Sequence, residues 1–69
     1  MPEIIVYAVE GRSTAAKHAL MRDITEAVAR NFEMNPELVT IQIVEASADN
    51  KSKGGLPFTI RPPSEIFKS

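Results

Sequence analysis

The sequence of 69 residues contains no cysteine and only one histidine. Disulfide staples and thiolate clusters are therefore excluded, and a metal site is not expected. Its three glycines, Gly11, Gly54 and Gly55, do not form a phosphate-cradling loop. No apolar run exceeds Ile4 to Val9, far short of the roughly 20 residues that cross a bilayer. Met1-Pro2-Glu3 lacks the basic start and longer apolar stretch of a secretory leader. Charge of one sign is also missing: 8 basic side chains face 9 acidic ones, for a net charge of −1. That balance argues against a general nucleic-acid binder, which needs clustered lysine and arginine. The expectation is one small cytoplasmic domain over 1–69, with neither a membrane nor a nucleic acid as partner. A lone core of this size supplies only about 3–5 kcal/mol, so self-association is the expected support.

Charge is unevenly spread along the chain. The first fifty residues are acidic on balance, whereas Lys51, Lys53, Arg61 and Lys68 outnumber Glu65 in the remainder. A solvated basic tail is the plain explanation. The alternative is a tail that folds over an anionic surface, on its own subunit or on a neighbour.

Ile4-Ile5-Val6-Tyr7-Ala8-Val9 is apolar at every position rather than alternating. Such a run fits a strand buried on both faces. In a chain this short one helix covers only one face, which leaves the other for a second copy of the same sheet. Gly11-Arg12-Ser13 breaks the strand, and Ser13 is a good helix N-cap. Leu20, Ile24, Val28 and Phe32 then recur at four-residue spacing, widened by Met21 and Ala27. His18, Arg22, Glu26 and Arg30 fall on the far, solvated face, with Glu26 and Arg30 spaced as an i,i+4 pair. Asn35-Pro36 is the expected stop.

Val39 to Val44 reads as a second strand, with Val39, Ile41 and Ile43 on one face. Strand, helix and strand make a βαβ unit with parallel strands and a right-handed crossover. The fold class is therefore α/β (α+β), a single βαβ unit over 1–45 followed by a loop and C-terminal arm over 46–69 that forms a short strand or hairpin. Ala46 to Gly55 reads as polar and flexible, and Leu56 to Ile60 is a candidate edge strand closed off by Pro62-Pro63.

Two residues stand out chemically. Proline directly after the initiator methionine is a context in which the methionine is normally removed, leaving Pro2 with a free secondary amine. An ordinary terminal amine titrates near 7.7–8.0, and an apolar pocket or a nearby cation lowers that value. Such an amine suits general-base work close to neutral pH. Arg12, at the strand-to-helix corner, presents a planar fork suited to a carboxylate.

Pro2, the apolar strand, Glu10-Gly11-Arg12-Ser13, the long amphipathic helix, a second strand ending in Glu45, and Gly54-Gly55 together resemble the 4-oxalocrotonate tautomerase family. The resemblance runs without gaps from Pro2 to about Gly55, over three quarters of the chain. It implies a proline base at Pro2, a carboxylate-binding arginine at Arg12 and no metal or organic cofactor. It also implies a hexamer built as a trimer of βαβ dimers, a homo-oligomer by default with a hetero-hexamer left open. The activity implied is an isomerase that moves a proton through the dienol of a small unsaturated 2-hydroxy or 2-oxo carboxylate. The family's second active-site arginine falls at Thr40 here, and its aromatic wall residue falls at Lys51. Lys51, or Arg61 from another subunit, is the candidate replacement for the missing cation.

Pro2 and Arg12 lie at opposite ends of one strand, roughly 20–25 Å apart at about 3.3 Å per residue. One small substrate cannot touch both within a single chain, so a site using both is shared between subunits. Two alternatives remain open at this level. One is hydration, dehalogenation or decarboxylation of a small acid on the same scaffold. The other is a non-catalytic subunit of a hetero-oligomer, which Thr40 and Lys51 favour.

Overall fold

A computed structural model of the chain describes residues 1–60. Its elements run β1 (Glu3–Val9), α1 (Thr14–Phe32), β2 (Thr40–Ala46), β3 (Ser52–Lys53) and β4 (Leu56–Pro57), with 3₁₀ turns at Pro36–Leu38 and Ala48–Asn50. β1 and β2 are parallel, in a register that sets Glu3 against Thr40, Val6 against Ile43 and Ala8 against Glu45. This is the expected βαβ unit. Two backbone bonds extend the ladder beyond the strands, from Thr40 N to Pro2 O (3.1 Å) and from Glu10 N to Ala46 O (2.9 Å).

α1 begins where the sequence places it. Ser13 is extended and its Oγ accepts from Ala16 N at 3.1 Å, satisfying one of the helix's orphan donors. We expect Ser13→Ala to cost about 1 kcal/mol of stability, read as a lower midpoint in urea with an unchanged slope. The helix ends before Asn35-Pro36, because Glu33 adopts a left-handed conformation (φ 51°) and its N–H bonds to Ala29 O. Glutamate is an unusual residue for that conformation, which glycine or asparagine favours, so Asn35-Pro36 announced the stop but not the residue that makes the turn. Glu26 and Arg30 are not bridged; the ion pair found among the described residues is Lys17–Glu45.

β2 lies slightly later than Val39–Val44. The 3₁₀ turn at Pro36–Leu38 takes Val39 as its cap (Val39 N to Pro36 O, 3.1 Å), and pairing with β1 carries the strand on to Ala46. The expected edge strand over Leu56–Ile60 is shorter than its composition suggests. Only Leu56–Pro57 is extended, paired antiparallel with Ser52–Lys53, while Ile60 N folds back to Pro57 O at 2.9 Å. Gly54 (φ 60°) and Gly55 (φ 83°) form the two-residue hairpin loop. Positive φ at both central residues is what a tight primed turn demands. The segment before Gly55 is thus ordered by its turns despite its polar composition. Arg61 and Pro62-Pro63 lie outside the described residues.

The two faces of the sheet differ. Ile4, Val6 and Ala8, with Ile41 and Ile43, face α1 and are half-buried. Ile5 and Tyr7 point away from the helix and are 45% and 71% exposed. No described side chain reaches full burial, and even the ends of the helical stripe, Leu20 and Phe32, are exposed. A two-layer unit with one open face has not completed a core.

Candidate active site

Pro2 immediately precedes β1 and is half-buried, its carbonyl tied to β2 through Thr40 N. Met1 before it is 92% exposed, open to removal. Thr40 stands across from Glu3 at this same end of the sheet. The sheet end that carries Pro2 therefore begins with a neutral hydroxyl on one strand and a carboxylate on the other.

Arg12 lies at the opposite end. Gly11, at φ 126°, makes the reversal from β1 into α1 with nothing near the position of a Cβ. The constraint there is backbone conformation rather than space. Arg12 Nη1 then donates to Val9 O at 2.8 Å, which curls the side chain back over the strand end. Guanidinium carries five N–H donors, so the remainder of the fork stays available.

Lys51 follows the 3₁₀ turn after β2 and is half-buried. Its carbonyl accepts from Phe58 N at 2.9 Å, and Thr59 Oγ1 donates to Asp49 Oδ1 at 3.0 Å. These two bonds fasten the hairpin onto the Lys51 turn. Because β2 is parallel to β1, the Lys51 segment leaves the sheet at the same end as Arg12. The topology thus groups the two candidate cations at one end and separates both from Pro2.

Beside Arg12 a groove of about 380 Å³ opens between the start of α1 and the end of the sheet. Val6, Ala8, Leu20 and Ile43 form apolar walls, and Arg12, Lys17 and Glu45 supply its charged rim. Lys17 Nζ donates to Glu45 Oε1 at 2.9 Å, with both side chains about a quarter exposed (28% and 27%). Sequence reasoning missed this pair. Its one available signal was that Glu45 follows Ile41 and Ile43 on the face turned to the helix, where a carboxylate needs a partner. A larger, shallower depression of about 570 Å³ is lined by His18, Arg22 and Glu26 on the outer helix surface. It contains neither Pro2 nor Arg12. Among the described residues no group of three acidic, histidine or cysteine side chains could hold a metal ion, and no helix is long and apolar enough to cross a membrane.

Known proteins resemble this chain in sequence and fold. Residues 2–61 match the family model for tautomerase enzymes. The chain is 46% identical over 61 residues to a probable tautomerase of Bradyrhizobium diazoefficiens, covering 88% of this chain and 91% of that one. It is 35% identical over 57 residues to a 2-hydroxymuconate tautomerase of Pseudomonas putida, covering 83% and 90%. Among solved structures, a heterohexamer 4-oxalocrotonate tautomerase from Chloroflexus aurantiacus superposes with a TM-score of 0.80 at 29% identity, covering 86% of this chain and 95% of that one. A match that begins at Pro2 and spans the strand, the Arg12 corner, the helix and the hairpin leaves one conclusion: this chain belongs to the tautomerase family.

Proposed function

We propose that the protein is a tautomerase that uses the Pro2 nitrogen, freed by removal of Met1, as general base on a small unsaturated 2-hydroxy or 2-oxo carboxylate. Membership of the tautomerase family over residues 2–61, with Pro2 as the first matched residue, carries this reading. In the enol-to-keto direction the amine takes the proton of the enol hydroxyl, and the electrons of that O–H bond form the ketone. The displaced double bond then takes the proton back from the ammonium at a distant carbon. One O–H is lost and one C–H is gained, so no redox partner or cofactor is required. Arg12 binds the substrate carboxylate through two parallel N–H donors, and Lys51 offers a second cation at the same end of the sheet. Both draw negative charge towards the carboxylate as the dienolate forms.

The distance between Pro2 and Arg12 supports a shared site. The sheet separates them by roughly 20–25 Å at about 3.3 Å per residue, so the Pro2 of one copy works with the Arg12 of another. The open sheet face supplies the means. Ile5 and Tyr7, exposed in the single chain, pack against other copies in a homo-hexamer of whole chains. Full burial of such a side chain is worth about 1.5–3 kcal/mol, of which Ile5 and Tyr7 gain the share that the single chain leaves exposed, 45% and 71%. Tyr7→Lys is expected to leave βαβ units that no longer assemble, read by sedimentation as a fall from hexamer to smaller species with loss of activity. A Tyr7→Lys protein that stays hexameric would remove this face from the interface.

The test of function is ketonisation of 2-hydroxymuconate or phenylenolpyruvate by protein whose intact mass confirms loss of Met1. No activity from a correctly processed oligomer would sink the tautomerase reading. Thr40 and the heterohexameric Chloroflexus relative support a second reading, a chain that completes its site only beside a different subunit. Activity that appears solely on mixing with such a partner would select it.

A further inference from the structure

We propose that Lys17 acts as a positioning residue by holding the Glu45 carboxylate away from Arg12, which keeps the arginine open to substrate. This inference rests on the carboxylate-binding role given to Arg12 above.

Arg12, Lys17 and Glu45 are the charged side chains that line the groove at the Arg12 end of the sheet. Two cations thus share one anion. Glu45 sits in register with Ala8, and the neighbouring residue, Val9, holds the Arg12 guanidinium at 2.8 Å through its carbonyl. The carboxylate and the guanidinium therefore belong to the same corner. An arginine fork and a carboxylate that share a rim pair well because their geometries match in a bidentate fashion. That pairing would occupy the donors a substrate needs.

The observed arrangement is different. Glu45 is engaged by Lys17 at 2.9 Å, while Arg12 donates to a backbone carbonyl and leaves further N–H groups unspent. Lys17 lies in the first turn of α1, where Ser13 O accepts from Lys17 N at 3.1 Å. From that first turn the lysine side chain reaches the end of β2. A carbonyl partner is neutral, so it orients Arg12 without cancelling its charge, whereas Glu45 would cancel it.

The test compares the hexamer with its Lys17→Met, Glu45→Gln, Lys17→Met/Glu45→Gln and Arg12→Ala variants, measuring kcat and KM with phenylenolpyruvate. Lys17→Met frees Glu45 to compete for Arg12, and KM is expected to rise about fivefold with kcat little changed, the scale of a partly exposed ion pair. Removing the competitor as well should return KM to within about twofold of the parent. A merely structural ion pair behaves otherwise, since its loss lowers the melting temperature without raising KM selectively. Lys17→Arg keeps the pair and should keep the parental KM, a check that survives if Lys17→Met fails to assemble. An unchanged KM in Lys17→Met, or no rescue in the double variant, overturns the inference while an elevated KM in Arg12→Ala leaves the underlying reading intact. If Arg12→Ala itself leaves KM unchanged, the carboxylate-binding role fails, and this inference with it.

Discussion

Protein that retains Met1 is expected to lose about 10²–10⁴-fold in kcat/KM for ketonisation, the contribution of a positioned general base. The reason is electronic rather than steric. A free Pro2 nitrogen is a secondary amine with a lone pair available for a proton, and ordinary terminal amines titrate near 7.7–8.0. Joined to Met1, the same nitrogen belongs to a peptide bond, its lone pair delocalised into the carbonyl. No neighbouring cation can restore basicity to an amide. The fold itself tolerates either form, because Met1 is exposed and Pro2 is tied to β2 through its carbonyl, not its nitrogen. The processed and unprocessed proteins should therefore melt and assemble alike while differing in rate. Intact mass defines the two populations, and steady-state assay of each supplies the comparison. Equal rates would refute a role for the Pro2 nitrogen and move the search to another base.

How much of this was legible in the sequence depended on how local each signal was. The apolar run of β1, the four-residue spacing of α1 and the Ser13 cap are short-range patterns, and the structure follows them. The open sheet face was legible too, because Ile5 and Tyr7 are apolar at positions the helix cannot reach. The helix end was legible in part: Asn35-Pro36 marked the stop, but not that Glu33 would carry the left-handed turn a glycine would have announced. Gly54-Gly55 did mark a turn, but Lys53 and Leu56 form a strand pair around it too short to show alternation. Least legible was the Lys17–Glu45 pair, whose members are 28 positions apart. Their meeting depends on the register of β2 beneath α1, which only the fold sets. The candidate site therefore divides into Pro2 and Arg12, visible as residue types at structural corners, and a charged groove visible only in three dimensions.

Mixing two inactive chains should restore activity, because each supplies what the other lacks. Arg12→Ala is expected to lose about 10²-fold in kcat/KM, as a charge-assisted bidentate contact is removed. A chain whose Pro2 nitrogen is blocked loses the base. If both groups came from one chain, no mixture of the two could hold an intact site. With Pro2 and Arg12 at opposite ends of a seven-residue strand, the proposed site instead draws them from different copies. Unfolded together in equal amounts and allowed to reassemble at random, the two chains pair an intact Pro2 with an intact Arg12 in about a quarter of sites. The expected result is about a quarter of the parental rate from a mixture whose separate components give almost none. The ratio carries the argument, since changing the proportion of the two chains should trace a symmetric curve with its maximum at equal amounts. A mixture no more active than its parts would place both groups in one chain's site, or remove one of them from catalysis. Recovery at the expected level would make assembly a condition of the chemistry: the same open face that leaves this short chain without a complete core brings the base of one copy to the arginine of the next.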